Sequence, residues 1–244
     1  MFRWPVVPLC EKQLRDVSTD DILEGGDFRK CNVYKGGGGY DRFPYICERR
    51  LGKKFSNQFV VQLKGCPFKC PYCYVTNEGI WGKAKEYTSL ALIKHFINSK
   101  QEVFHLMGGA PALYIEHWPE LLDLMPEDKV FHSDLLLLEK PYTTDWLTRI
   151  DRPNTLFTVS IKGATASSFK ENTGIHFNEE LFWANLNFIV HSNINFYITF
   201  TNPDIYTYAF QSKLIKRYGS DILRDSFSIE LIKYKALEEG RINE

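Results

Sequence analysis

Two rhythms of apolar and polar positions alternate from residue 57 to about 235. Period-two or continuously apolar runs predict six strands: "NQFVVQLK" (57–64), "EVFHLM" (102–107), "KVFHSD" (129–134), "NTLFTVSIKG" (154–163), "INFYITFTN" (194–202) and "SFSIELIKY" (226–234). Helical spacing fills the gaps between them. In 88–100, Thr88 is placed to cap a helix on which Leu90, Ile93 and Ile97 recur at helical intervals. "PELLDLM" (119–125) puts Pro119 in a first turn, and "TDWLTRI" gives a short helix. The strongest helix is 178–192, with Asn178 as cap and Leu181, Ala184, Phe188 and Ile189 as its stripe; another covers 205–218. Residues 1–55 hold neither rhythm. With four glycines at 36–39, they are expected to form an irregular extension (1–55) carrying a lid or connector, packed on a main domain at 56–244.

Strands alternating with helices imply an α/β fold of parallel β/α units. The strand faces refine this. Thr158, Ser160 and Lys162 alternate with Phe157, Val159 and Ile161; Asn195, Tyr197, Thr199 and Thr201 alternate with Ile194, Phe196, Ile198 and Phe200; Ser226, Ser228 and Glu230 alternate with Phe227, Ile229 and Leu231. A parallel sheet covered on both sides is apolar on both faces. One polar face therefore predicts a curved sheet with helices outside and a wet concave side, and the chain is too short for eight units.

Composition narrows the function classes. Thirty basic and thirty acidic side chains cancel, so no charge footprint calls for nucleic acid or an anionic membrane. The start "MFRWPVVPLCEKQ" lacks a secretory apolar core, and no apolar run approaches a membrane span of about 18 residues. A cytoplasmic chain with reduced thiols is expected, in which clustered cysteines bind metal rather than pair.

The cluster is "GCPFKCPYCY" (65–74), with Cys66, Cys70 and Cys73 in C-x3-C-x2-C spacing directly after the first predicted strand. Structural zinc sites take four ligands, usually from two pairs, and no cysteine follows Cys73. A cubane iron–sulfur cluster normally takes four cysteines as well, so three leave one position open. This spacing, with Tyr72 before the last cysteine, resembles the signature of the radical S-adenosylmethionine superfamily, and "LKGCPFKCPYCYV" is similar to its activating-enzyme branch. The resemblance covers roughly 57–235 and implies a partial (β/α)6 barrel. It implies one [4Fe–4S] cluster on Cys66, Cys70 and Cys73, S-adenosylmethionine on the fourth iron, and a 5′-deoxyadenosyl radical that abstracts hydrogen. It also implies a one-electron donor such as a flavodoxin or ferredoxin, and a protein, peptide or small-molecule substrate. "MGGAP" resembles the family's Gly-Gly-Glu-Pro element, which assigns Gly108 and Gly109 to the methionine amino group, with Ala110 replacing the acid. By the same resemblance Tyr72, Ser133, Asp134, Ser160, Lys162 and Thr199 are cofactor contacts, with Lys162 on the methionine carboxylate.

A rival reading makes the chain a non-catalytic zinc or interaction module, with Cys47 or a histidine as fourth ligand. Cys10, Cys31 and Cys47 otherwise read as buried small apolar residues, the histidines as packing or surface residues, and Met107 and Trp183 as core.

Overall fold

The structure, a computed structural model, describes residues 1–33, 40–73, 75–137 and 140–231. The glycine run expected to form a lid, and the residues after 231 in the last expected strand, lie outside them.

Segment 1–55 departs from the expectation of irregularity. It contains β1 (Arg3–Val6), α1 (Glu11–Asp16), β2 (Ile22–Leu23), β3 (Phe28–Asn32) and α2 (Phe43–Leu51). These elements are too short to show a period in sequence, and tertiary pairing fixes them. β3 runs antiparallel to β4 (Asn57–Gln62), with Phe28 opposite Val61, and β2 pairs with β3 outside it.

The remaining elements follow as expected, with additions. After β4 come α3 (Asn77–Trp81), β5 (Lys85–Thr88), α4 (Ser89–Ser99), β6 (Val103–Met107), α5 (Trp118–Leu122), β7 (Val130–Leu135), α6 (Thr144–Ile150) and β8 (Thr155–Ile161). Then follow α7 (Ala166–Thr173), α8 (Glu179–Val190), β9 (Phe196–Thr201), α9 (Thr207–Tyr218) and β10 (Phe227–Ile229). The main sheet has the order β10-β9-β8-β7-β6-β4-β3-β2, and its first six members are mutually parallel. It is an open, partial barrel of six β/α units extended by an antiparallel pair. β1 and β5 form a separate two-stranded sheet.

Aromatic residues dominate the convex face. Phe59, Phe104 and Phe131 are neighbours in register, with ring centroids 5.8 and 6.0 Å apart, and Trp118 stacks on Phe157 at 5.6 Å. Such cross-strand pairs stabilise a sheet beyond simple burial. Helices cover this face and begin where capping predicts: Thr88 Oγ1 accepts from Ala91 N, and Asn178 Oδ1 from Leu181 N, both at 3.1 Å.

Two helix stripes are rotated from the expected ones. On α4, Leu92, Ile93 and Phe96 are buried while Leu90 and Ile97 are 44% and 49% exposed. On α8, Phe182, Trp183, Leu186 and Ile189 face inward and Phe188 is 40% exposed. Both helices are apolar over more than one stripe, so periodicity alone cannot choose the buried one. Asn185 shares the inner face of α8, accepting from Tyr142 N at 2.7 Å and donating to Leu137 O at 2.6 Å, which stitches the segment after β7 to the helix.

The N-terminal end of the barrel is stoppered. Phe43, Ile46 and Cys47 of α2 form one apolar cluster with Val33, Phe55 and the first inward residues of three strands, Val103, Val130 and Leu156. Asp225, just before β10, holds the plug by accepting from Arg50 Nε at 2.7 Å and from Arg49 Nε.

Candidate functional site

The opposite end is where β-strands run into loops, the position of chemistry in β/α barrels. The cysteine loop leaves β4 there and is fastened on three sides. Gly65 N donates to Ile80 O at 2.8 Å, Ala110 N donates to Gly65 O at 2.7 Å, and Lys69 N donates to Thr173 O at 2.7 Å. Phe68 packs edge-on against Phe169 at 5.9 Å, and Cys73 N donates to Cys70 O at 3.1 Å. A loop held this way presents its thiols with little freedom left to lose on binding.

Cys66, Cys70 and Cys73 share one cavity of about 130 Å³ with Tyr72, Gly108, Gly109, Asp134, Ser160, Lys162 and Thr199. Seven of the eight residues expected to contact the cofactor thus line the same cavity as the three cysteines. Ser133 does not. The pleat turns it to the other face, where its Oγ donates to Leu106 O at 3.1 Å and is fully buried. Ser160 Oγ and Thr199 Oγ1 are 3.3 Å apart.

Gly108 and Gly109 line the cavity, and the packing behind them makes a further demand on their backbone. Both have left-handed φ, 74° and 57°. A Cβ on Gly108 would lie 2.4 Å from Gln62 Cγ, and one on Gly109 would lie 2.3 Å from Leu63 O and 2.5 Å from Gly65 O. Glycine is required because this turn presses on the root of the cysteine loop. Ala110 is fully buried beside it.

Lys162 is the cation of the site, with Nζ 5.6 Å from the Tyr72 ring centroid. Burial pulls its pKa down, but the facing Tyr72, Cys70, Asp134 and Cys66 outweigh burial and raise it. Asp134 is also raised: burial lifts it from a free carboxylate's value to about 6, with Lys162 opposing.

Three expectations change on inspection of the cavity. Glu230 is exposed, and Phe227 and Ile229 of β10, with Leu231 after it, line the cavity instead. Met107 lines the cavity, and its Sδ receives Arg29 Nη2 at 3.6 Å. His105 and His132, expected to be ordinary histidines, lie side by side deep in the cavity with ring centroids 4.3 Å apart. Their place was readable: both fall on the same strand face as the residues ending at Met107 and Asp134.

The donor set suits an iron–sulfur group. Three soft thiolate donors come from one fastened loop, and two residues lining the cavity beside them hold buried polar atoms without partners among the described residues: His105 Nε2 and His132 Nδ1. Zinc fits less well. Cys47, the fourth ligand of the zinc reading, sits in the plug at the far end of the strands.

No protein-family model matches this chain, and no curated protein does. Solved structures do resemble it. The structure of TYW1 with a lysine-pyruvate adduct bound aligns with TM-score 0.57 at 13% identity, over 93% of this chain and 84% of that one. Native anSMEcpe with bound AdoMet aligns with TM-score 0.49 at 16% identity, over 69% of this chain and 49% of that one, so the chain spans about half the length of that relative. QueE from Escherichia coli gives TM-score 0.38 at 15% identity, over 66% of this chain and 82% of that one. The likeness to TYW1 is one of fold alone: an open, partial (β/α)6 barrel. No helix among the described residues is long and apolar enough to cross a membrane.

Proposed function

We propose that the chain is a radical S-adenosylmethionine enzyme, with one [4Fe–4S] cluster on Cys66, Cys70 and Cys73. The observation that carries this reading is the convergence of three thiols, a glycine turn, Asp134 and Lys162 on one cavity at the C-terminal ends of parallel strands. When bound, the cluster and S-adenosylmethionine supply a carbon radical that takes a hydrogen atom from substrate. The chain's own residues bind and shield. Lys162, held cationic by its neighbours, suits the methionine carboxylate, and Ser160, Thr199 and Asp134 offer hydrogen bonds to the nucleoside. Phe227, Ile229 and Leu231 keep the β10 side of the cavity dry, where a radical is protected from stray donors. The electron comes from a donor of the flavodoxin or ferredoxin kind, and the substrate is a protein, peptide or small molecule.

Anaerobic purification followed by analysis tests the reading. About four irons with matching sulfide per chain, and 5′-deoxyadenosine on reduction with S-adenosylmethionine, are expected. A single zinc and intact S-adenosylmethionine would overturn it. Lys162→Ala should weaken S-adenosylmethionine binding by about tenfold with iron content unchanged, as loss of one charge-assisted contact implies.

A further inference from the structure

Below the layer of Asp134, Ser160 and Thr199, the barrel interior changes character. The next inward residues toward the plug are His105 on β6, His132 on β7, Thr158 on β8 and Tyr197 on β9, with His105 and His132 paired in register. Both histidines are 4% exposed. The rings are braced: Phe43 lies 4.6 Å from His132, and Tyr197 lies parallel to His132 at 6.1 Å.

The hydrogen bonds assign the protons. Gln58 Oε1 lies 2.8 Å from His105 Nδ1 and can only accept, so Nδ1 carries the proton and Nε2 is a bare acceptor. His132 Nε2 meets Thr158 Oγ1 at 3.0 Å and the Tyr197 phenol at 3.1 Å. With the phenol, the stronger acid of the two hydroxyls, assigned as donor, Nε2 accepts and Nδ1–H is left as a donor. Neither His105 Nε2 nor His132 Nδ1 has a partner among the described residues. A buried polar atom without a partner costs about 1–3 kcal/mol, and two on adjoining rings facing one cavity mark a place where something binds.

We propose that His105 and His132 form a neutral, two-point subsite that takes an uncharged group of the substrate bearing a hydrogen-bond donor beside an acceptor, a carboxamide or cyclic imide. The proposal rests on reading the cavity as the enzyme's active site, and it names the part of the substrate that enters first. An N–H of the group donates to His105 Nε2, and its carbonyl accepts from His132 Nδ1–H. Charged groups are disfavoured because both rings stay neutral. Burial holds His132 down to about 3; burial, with His132 and Arg29 nearby, holds His105 well below the ordinary histidine range.

The test is histidine-selective 15N NMR of the full chain, titrated with acetamide, acetate and methylammonium as probes. Acetamide should shift His105 Nε2 and His132 Nδ1 saturably, while acetate and methylammonium leave both in place. His105→Phe and His132→Phe should each weaken acetamide by about tenfold, the loss of one hydrogen bond. His105→Gln, whose amide reaches the Nε2 position, should restore most of the affinity. Acetate binding as well as acetamide, or acetamide giving no saturable shift, overturns the subsite. Should a phenylalanine variant fail to fold, the wild-type titration and His105→Gln decide alone. The titration needs no S-adenosylmethionine. A wild-type chain that binds acetamide yet never yields 5′-deoxyadenosine overturns the radical reading and leaves the subsite standing, and the reverse pattern overturns the subsite alone.

Discussion

The two ends of the barrel both carry buried cysteine, and they treat it in opposite ways. At the plugged end Cys47 is fully buried among Val33, Ile46, Val103 and Val130, and burial pushes its thiol far above the ordinary range, so it is a small apolar residue in effect. At the open end Cys66, Cys70 and Cys73 face a cavity and a lysine. Sequence order does not separate them; their place along the strand axis does. Replacement should therefore split cleanly. Cys70→Ala removes the iron–sulfur cluster and all 5′-deoxyadenosine formation, whereas Cys47→Ala keeps full iron and sulfide and lowers stability by about 1 kcal/mol. Equal iron loss in the two variants would break the contrast.

Glycine gives a second contrast between the same ends. Gly52, ending α2, and Gly109, beside the cysteine loop, both have positive φ, 79° and 57°. Around Gly52 an added Cβ meets nothing within 4 Å, but at Gly109 it would collide with two carbonyl oxygens of the loop root. Left-handed strain alone costs about 1–2 kcal/mol, and overpacking against backbone adds about 1–3. Gly109→Ala should lose about 4 kcal/mol in urea denaturation and retain iron poorly; Gly52→Ala should lose about 1. Similar losses would mean that the turn yields more easily than its contacts imply.

The same contrast explains what could be read from sequence. The six parallel strands and the three thiols were legible because each rests on a local pattern: strand rhythm, caps, and spacing within one loop. That Asp134, Ser160, Lys162 and Thr199 line the cavity was legible because a strand end or an inward face fixes where they point, and Tyr72 follows from its place in the cysteine loop. Ser133 was misplaced by one residue of pleat, which moves a side chain from one face to the other. The plug was illegible. α2 and β3 are held by partners distant in sequence, Cys47 by Val103 and Val130 and Phe28 by Val61, and no local period records that. The histidine pair stood on the correct face in sequence, but only the fold brings β6 and β7 together in a register that sets one ring against the other.

Titration should separate the inner layer from the mouth by sign. His132 is neutral in the fold, with its pKa held near 3 against an ordinary value of 6.5. Its stabilising effect is complete above about pH 6.5 and is lost as pH falls toward 3, since the unfolded chain takes up the proton first. Asp134 does the reverse. Its pKa is raised to about 6 from 3.8, so stability present below 3.8 is lost as pH rises through 6. His132→Phe should remove acid sensitivity on the order of 3 kcal/mol between pH 7 and pH 4, and Asp134→Asn should make the chain more stable at pH 7 than at present. Denaturation midpoints at the two pH values check both, and a shared sign would show that one of the two layers is wetter than its burial indicates.

The smallest effect belongs to the clamp that holds the plug. Asp225 has a side chain only 3% exposed and a φ of 69°, and it receives both Arg49 and Arg50, whose side chains are 49% and 26% exposed. Asparagine tolerates the same left-handed backbone, so Asp225→Asn removes charge without adding strain. Because both arginines keep contact with water, the loss should be about 1 kcal/mol and should shrink further at high salt. The plug lies at the far end of the strands from the thiols, so S-adenosylmethionine affinity should not move. A fall in that affinity alongside the small loss of stability would mean that the two ends are mechanically joined, with α2 setting the strand spacing on which the cavity wall depends.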